Sequence, residues 1–145
     1  LYRYFLTFCC HSKQRRFISQ AVVDLALSQI RRAAAQEQFA IPAYCFMPDH
    51  LHLLVEGLTD TSNCLRFIRR AKQLSGFHYS REWQQTLWQR YGFEHVLRSD
   101  EDTHRVARYI FENPIRAGLV SCAEQYEFLG SDTHSLTEIL PETSG

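Results

Sequence analysis

The sequence predicts an α+β fold of the ferredoxin-like kind, an antiparallel sheet with helices packed against it, and three observations lead there. Short runs rich in aromatic and apolar residues alternate with longer stretches at helical spacing, in the order strand, helix, strand, strand, helix, strand region, helix. Only Pro48 and Asp49 separate the second strand from the third, which marks a hairpin. With 145 residues, 45% of them hydrophobic and 22% charged, the chain has the length and composition of one globular domain with a real core. RNA-binding modules share this fold, so the fold alone assigns no function.

Residues 4–10 (YFLTFCC) suit a strand buried on both faces at a central position. The polar stretch 11–16 (HSKQRR) follows as a basic loop carrying Lys13, Arg15 and Arg16. Ser19 is placed to cap a first helix running to about Glu37, with Val23, Ala26, Leu27, Ile30 and Ala34 on one stripe. Residues 43–47 make the second strand and residues 50–55 the third. After a loop beginning at Gly57, a second helix from about Ser62 toward Arg81 turns Leu65, Ile68, Ala71 and Leu74 to the core. Arg66, Arg69, Arg70 and Gln73 then point elsewhere, either as a face for a phosphate backbone or as a solvated surface. Lys72, Gln73 and His78 are on this helix within conceivable reach of the third strand.

Residues 88–98 (WQRYGFEHVLR) read as a bent strand or a strand pair, with Gly92 marking a bulge or turn and His95 a histidine to watch. Residues 99–102 (SDED) have the chemistry of a helix start, and on that helix Tyr109 borders an apolar stripe with Val106 and Ile110. From Glu124 onward the chain is acidic and weakly patterned. The expected organisation is a domain over residues 1–131 followed by an acidic, mobile tail over 132–145.

Formal charge is zero, but residues 1–98 hold thirteen Arg or Lys against seven Asp or Glu, and residues 99–145 three against nine. A basic body is balanced, or masked, by an acidic end. Fourteen of the sixteen cations are Arg, whose planar fork suits phosphate and base stacking. The five cysteines are odd in number and include no Cys-x-x-Cys pair, so neither a disulfide framework nor a zinc knuckle is expected. Reduced, mostly buried thiols fit a cytoplasmic protein. No apolar run approaches spanning length, the first residues lack the order of a signal peptide, and a first residue of Leu, not Met, is compatible with a few native residues missing upstream.

The chemistry concentrates in residues 47–55 (MPDHLHLLV). Side chains alternate across a strand, so His50 and His52 share one face while Leu51, Leu53 and Val55 take the other. Two imidazoles on a rigid strand can present two nitrogen ligands to a metal ion; histidines satisfied by hydrogen bonds in a core are the alternative. Tyr109 and Asn113, spaced i, i+4, fall on one helix face and would add a nucleophile and an oxygen ligand. Taken alone, Tyr109 is also readable as a core tyrosine. Asn113, just before Pro114, is also readable as the cap of a new turn closed by Gly118.

Two histidines around one hydrophobic residue, followed downstream by a single tyrosine on a helix, resemble the HUH single-tyrosine nucleases and transposases. The ordered set "MPDHLHLLV", "LWQRYGFEHVLR" and "YIFENPIRAGLV" is similar to the REP-associated tyrosine transposases, relatives of the transposases of the smallest bacterial insertion sequences, over about residues 4–131. The resemblance implies the HUH nuclease form of the ferredoxin-like fold. It implies a metal-dependent single-stranded DNA endonuclease and strand transferase that cuts near hairpin DNA, with Tyr109 forming a 5′-phosphotyrosine and freeing a 3′-hydroxyl. His50, His52 and Asn113 would hold Mg²⁺ or Mn²⁺, and Lys13, Arg15, Arg16, Arg66, Arg69 and Arg70 are the candidate DNA contacts. Single-stranded or hairpin DNA is the expected partner, with a monomer favoured over a dimer that exchanges tyrosine helices. Two rival classes keep the same fold: a noncatalytic nucleic-acid-binding module, and a metal phosphodiesterase that uses water without a covalent step.

Overall fold

The computed structural model describes residues 2–90, 96–99 and 102–140. The element order is β1 (Arg3–Cys9), α1 (Gln20–Glu37), β2 (Phe39–Met47), β3 (His50–Gly57), α2 (Cys64–Trp83), β4 (Val96–Ser99), α3 (Thr103–Phe111), α4 (Asn113–Arg116), β5 (Leu129–Gly130) and α5 (Leu136–Ile139). The strands form one antiparallel sheet in the order β4-β1-β3-β2-β5, so the fold is the expected α+β arrangement. β1 has a partner on each side, as its continuous apolar character requires.

Local chemistry explains the helix starts. The Ser19 hydroxyl accepts from the Val22 N–H, Asn63 caps α2 by accepting from Arg66, and Asp102 caps α3 by accepting from His104 and Arg105. The third cap falls on the last residue of the acidic stretch because Ser99 still belongs to β4.

Alternation along the strands divides the interior into two cores. Leu6, Phe8, Phe46, Leu51, Leu53 and Val55 pack under α1 and α2. Ala43, Cys45, Met47 and Leu54 turn the other way and are covered by Val106, Ala107, Ile110 and Phe111 of α3 and by Ile139 of α5. The histidines share this second face with Leu54, so their surroundings are half apolar.

Three expectations change in detail. Leu65 is 61% exposed, because Cys64, Phe67, Ile68, Ala71, Ser75 and Tyr79 set the buried stripe of α2 and Leu65 falls outside it. Lys72, Gln73 and His78 do not approach the histidines, since α2 lies across the sheet from them; Lys72 sits over the Phe8 ring and donates to the Gln89 carbonyl. The acidic segment after residue 131 is packed as far as Leu140: Asp132 takes Arg31 in a bidentate pair at 2.8 Å, Ser135 closes a capping box, and Ile139 is fully buried. Gly92, His95 and residues 141–145 lie outside the described residues.

All five cysteines are free thiols, and burial pushes Cys10, Cys45 and Cys64 up to about 12. Among the described residues no helix is long and apolar enough to cross a membrane.

Candidate active site

β3 leaves the Pro48-Asp49 turn with both imidazoles on the α3 face, and their Nε2 atoms stand 3.1 Å apart. Each outer nitrogen is engaged. His50 Nδ1 lies 2.7 Å from Asp49 Oδ1, and His52 Nδ1 lies 3.1 Å from Thr7 Oγ1. Thr7 arrives there because β1 and β3 pair Thr7 directly with His52. The carboxylate accepts from His50 Nδ1–H, which turns Nε2 of the ring toward His52. A threonine hydroxyl both donates and accepts, so Thr7 accommodates either tautomer of His52.

Such an arrangement fits a divalent ion. Two donors about 2.1 Å from a common ion and at right angles to each other stand about 3 Å apart, close to the spacing of the two Nε2 atoms. The Asp49 and Thr7 contacts are the outer partners that orient ligand histidines. Among the described residues no group of three His, Cys, Asp or Glu that could hold a metal ion includes the pair. Asp49→Ala is expected to weaken Mn²⁺ binding by about 10–100-fold, measured by titration calorimetry.

Burial, then the charges of His50 and Arg116, push the His52 imidazole from its usual 6.5 down to about 4. It is therefore neutral, the form that ligates metal, at any pH near 7. An unfolded chain takes a proton on this residue below about 6.5 and the folded chain only below about 4, so between these values unfolding binds a proton and stability rises with pH. Acidification through that window removes stability by at most about 1.4 kcal/mol per pH unit. Urea midpoints in chelator at pH 7 and 4.5 check this: the acid loss is expected to be smaller in His52→Asn than in the wild type.

The tyrosine stands one aromatic ring away. Phe5, on the same face of β1 as Thr7, has its ring centroid 5.5 Å from that of His52 and 6.2 Å from that of Tyr109. Val106, Ala107, Ile110 and Phe111 bury the other side of α3, leaving Tyr109 56% exposed at the margin. Pro114 has no N–H to continue the ladder, and the helix breaks into the short α4 that begins at Asn113. The residue preceding α4 makes no side-chain cap, and Asn113 Oδ1 instead faces Arg116 Nη2 at 3.5 Å.

Arg116, Asp49, Thr7 and Phe5 are site residues that the sequence analysis did not single out. Asp49 was legible as the immediate neighbour of His50, and Arg116 as a cation three residues past Asn113. Thr7 and Phe5 had no local signal, because strand register places them. The candidate DNA contacts separate into two groups. Lys13 and Arg15 are exposed, and Arg16 is half-buried, on a loop bound to the histidine turn by Cys10 N–H to Asp49 O and Phe17 N–H to Pro48 O, both 3.0 Å. Arg66, Arg69 and Arg70 are exposed on α2, across the sheet, where Arg70 pairs with Glu37 at 3.3 Å.

The profile of the family described as "Transposase IS200 like" matches residues 1–113, a span that includes both histidines, Tyr109 and Asn113. The chain belongs to that family. A Haemophilus influenzae protein provisionally named a REP-associated tyrosine transposase is 25% identical over 153 residues, covering 98% of this chain and 86% of the relative. Among solved structures, a REP-associated tyrosine transposase bound to a REP hairpin superposes with a TM-score of 0.72 at 19% identity, over 88% of this chain and 75% of that one. A provisionally named transposase from Deinococcus radiodurans superposes with a TM-score of 0.59 at 24% identity, over 77% of this chain and 88% of that one. Both solved structures bear on the fold. The IS200-like family carries the transposase assignment, and the likeness to REP-associated tyrosine transposases holds in sequence and in fold.

Proposed function

We propose that this IS200-like transposase is a metal-dependent single-stranded DNA endonuclease and strand transferase that cuts near a hairpin through a 5′-phosphotyrosine on Tyr109. The observation that carries this reading is the convergence of the two Nε2 atoms, each imidazole oriented from behind, beside an exposed tyrosine on the same face of the sheet. His50, His52 and Asn113 would hold Mg²⁺ or Mn²⁺, which when bound polarises the scissile phosphate and offsets charge on its oxygens.

The chain's own residues supply the rest. Tyr109 Oη attacks phosphorus, the Oη–P bond forms, the P–O3′ bond breaks, and the phenolic proton passes through solvent to the 3′-oxygen. A phenol leaves more readily than an alkoxide, so the adduct keeps the energy of the broken bond and a free 3′-hydroxyl can reverse the step without a nucleotide triphosphate. Lys13 and Arg15, beside the histidine turn, would hold the incoming strand, and Arg66 and Arg69 a more distant part of the DNA. The solved relative bound to a REP hairpin supports hairpin DNA as the partner. On this reading a monomer is the working unit. A denaturing gel with labelled single-stranded hairpin DNA and Mn²⁺ tests the reading: a protein-linked product is expected, and free fragments without any adduct would instead indicate hydrolysis by water.

A further inference from the structure

Arg116 lies beyond the segment matched by the family profile, and its guanidinium packs on Tyr109. Its guanidinium carbon is 4.0 Å from the centroid of the Tyr109 ring, a cation lying close on the aromatic face. Nη2 donates to the Tyr109 carbonyl at 2.7 Å and faces Asn113 Oδ1 at 3.5 Å, while Nη1 is 3.7 Å from Glu112 Oε2. Tyr109 and Arg116 are seven residues apart, about two helical turns, so a long side chain on α4 reaches back to the end of α3. The side chain keeps 39% of its surface exposed.

We propose that Arg116 binds the scissile phosphate, as a second cation beside the divalent ion, and so is a catalytic residue of the strand-transfer step. This rests on the nuclease reading above. A phosphate within reach of Tyr109 Oη and of the histidine pair enters the space next to a guanidinium already aligned with the phenol. A guanidinium carries five N–H donors, so an exposed Arg can give some to a non-bridging oxygen while Nη2 stays on the Tyr109 carbonyl. The loose pairing with Glu112 leaves charge available for the phosphate, whose negative charge grows on the equatorial oxygens during the transfer. The covalent balance is unchanged: Oη–P forms, P–O3′ breaks, and Arg116 neither gains nor loses a proton.

The test has two parts on the full chain. First, the scissile position is mapped from the wild-type adduct, and single-turnover adduct formation is compared in wild type, Arg116→Ala and Arg116→Lys. Arg116→Ala is expected to slow the step about 100-fold, and Arg116→Lys to recover at least about tenfold of that loss. An Arg116→Ala rate equal to wild type overturns the proposal. Second, DNA affinity is measured in chelator and in the Tyr109→Phe background, where nothing is cut, using hairpin DNA with either a phosphate or a neutral methylphosphonate at the mapped position. Arg116→Ala and the methylphosphonate are each expected to weaken binding about 3–10-fold, and together no more than the larger effect alone. Effects that multiply show that Arg116 does not touch that phosphate and overturn the proposal. If Arg116→Ala fails to fold, Arg116→Met takes its place in both parts. A wild type that forms no adduct sinks the nuclease reading itself, whereas a wild type that cuts while Arg116→Ala cuts equally well sinks only this inference.

Discussion

Tyr109→Phe is expected to abolish the covalent protein–DNA product and to lower cleavage by at least about 10³-fold, while hairpin DNA is still bound within about threefold of the wild-type affinity. The substitution removes one oxygen and nothing else. The ring that packs near Phe5 at 6.2 Å and lies under Arg116 at 4.0 Å remains, and the hydroxyl lies in an exposed side chain that holds no core together. Stability should therefore change by less than about 0.5 kcal/mol, as for surface substitutions. Labelled hairpin DNA on denaturing gels reads the adduct, and a filter or mobility assay reads the binding. Cleavage that survives Tyr109→Phe moves the nucleophile to water or another side chain. Loss of both cutting and binding would show that the phenol serves affinity.

The double substitution His50→Ala with His52→Ala is expected to remove Mn²⁺ binding in calorimetry and to lower cleavage by about 10³-fold or more, again with DNA retained. Both Nε2 atoms converge on one point, and among the described residues no group of three His, Cys, Asp or Glu stands ready to replace them. Asn113 alone offers a neutral amide oxygen, too weak a donor to keep the ion at micromolar levels. The lost polarisation of the phosphate accounts for the rate. DNA affinity should survive because Lys13, Arg15 and the α2 arginines are untouched. Each single substitution leaves one imidazole and is expected to fall between wild type and the double variant. A double variant that still binds Mn²⁺ with wild-type heat would place the metal elsewhere in the molecule.

These two experiments test different layers of inference. The nucleophile assignment stands on exposure and on proximity through Phe5. The metal assignment stands on a donor geometry with both outer nitrogens occupied. Asp49→Ala separates the layers further, since it leaves both ligands and the tyrosine in place and acts only through the orientation of His50.

The strands and helices were legible in the sequence where the pattern was local. Alternation in residues 50–55 put His50 and His52 on one face whatever the strand paired with. Ser19 was readable as a cap and Gln20–Glu37 as a helix from apolar spacing alone. Phase was harder to read on α2. Leu65 and Phe67 are both large and apolar, and the choice between them was made by what lies opposite, Phe39 at 5.3 Å from Phe67. The acidic end read as a mobile tail because its apolar residues are sparse. A single buried Ile139 and one Arg31–Asp132 pair anchor it, contacts to residues far away in the chain that no periodicity announces.

By itself, then, the sequence determined which residue types this protein has to work with and which of them share a strand or helix face: the histidine pair, the tyrosine with Asn113, the basic loop after the first strand. Those relations are set by backbone periods of two and 3.6 residues, which hold regardless of the rest of the molecule. Only the tertiary structure decided that Thr7 stands behind His52, that Phe5 spans from His52 to Tyr109, that Arg116 folds back over the tyrosine, and that the α2 arginines face away from all of them. The first two follow from strand register, the third from a long side chain reaching back two helical turns, and the last from which face of the sheet α2 covers. All but the Arg116 contact, which spans only seven residues, are long-range packing choices, settled by how the whole apolar surface is best buried and written at no single position.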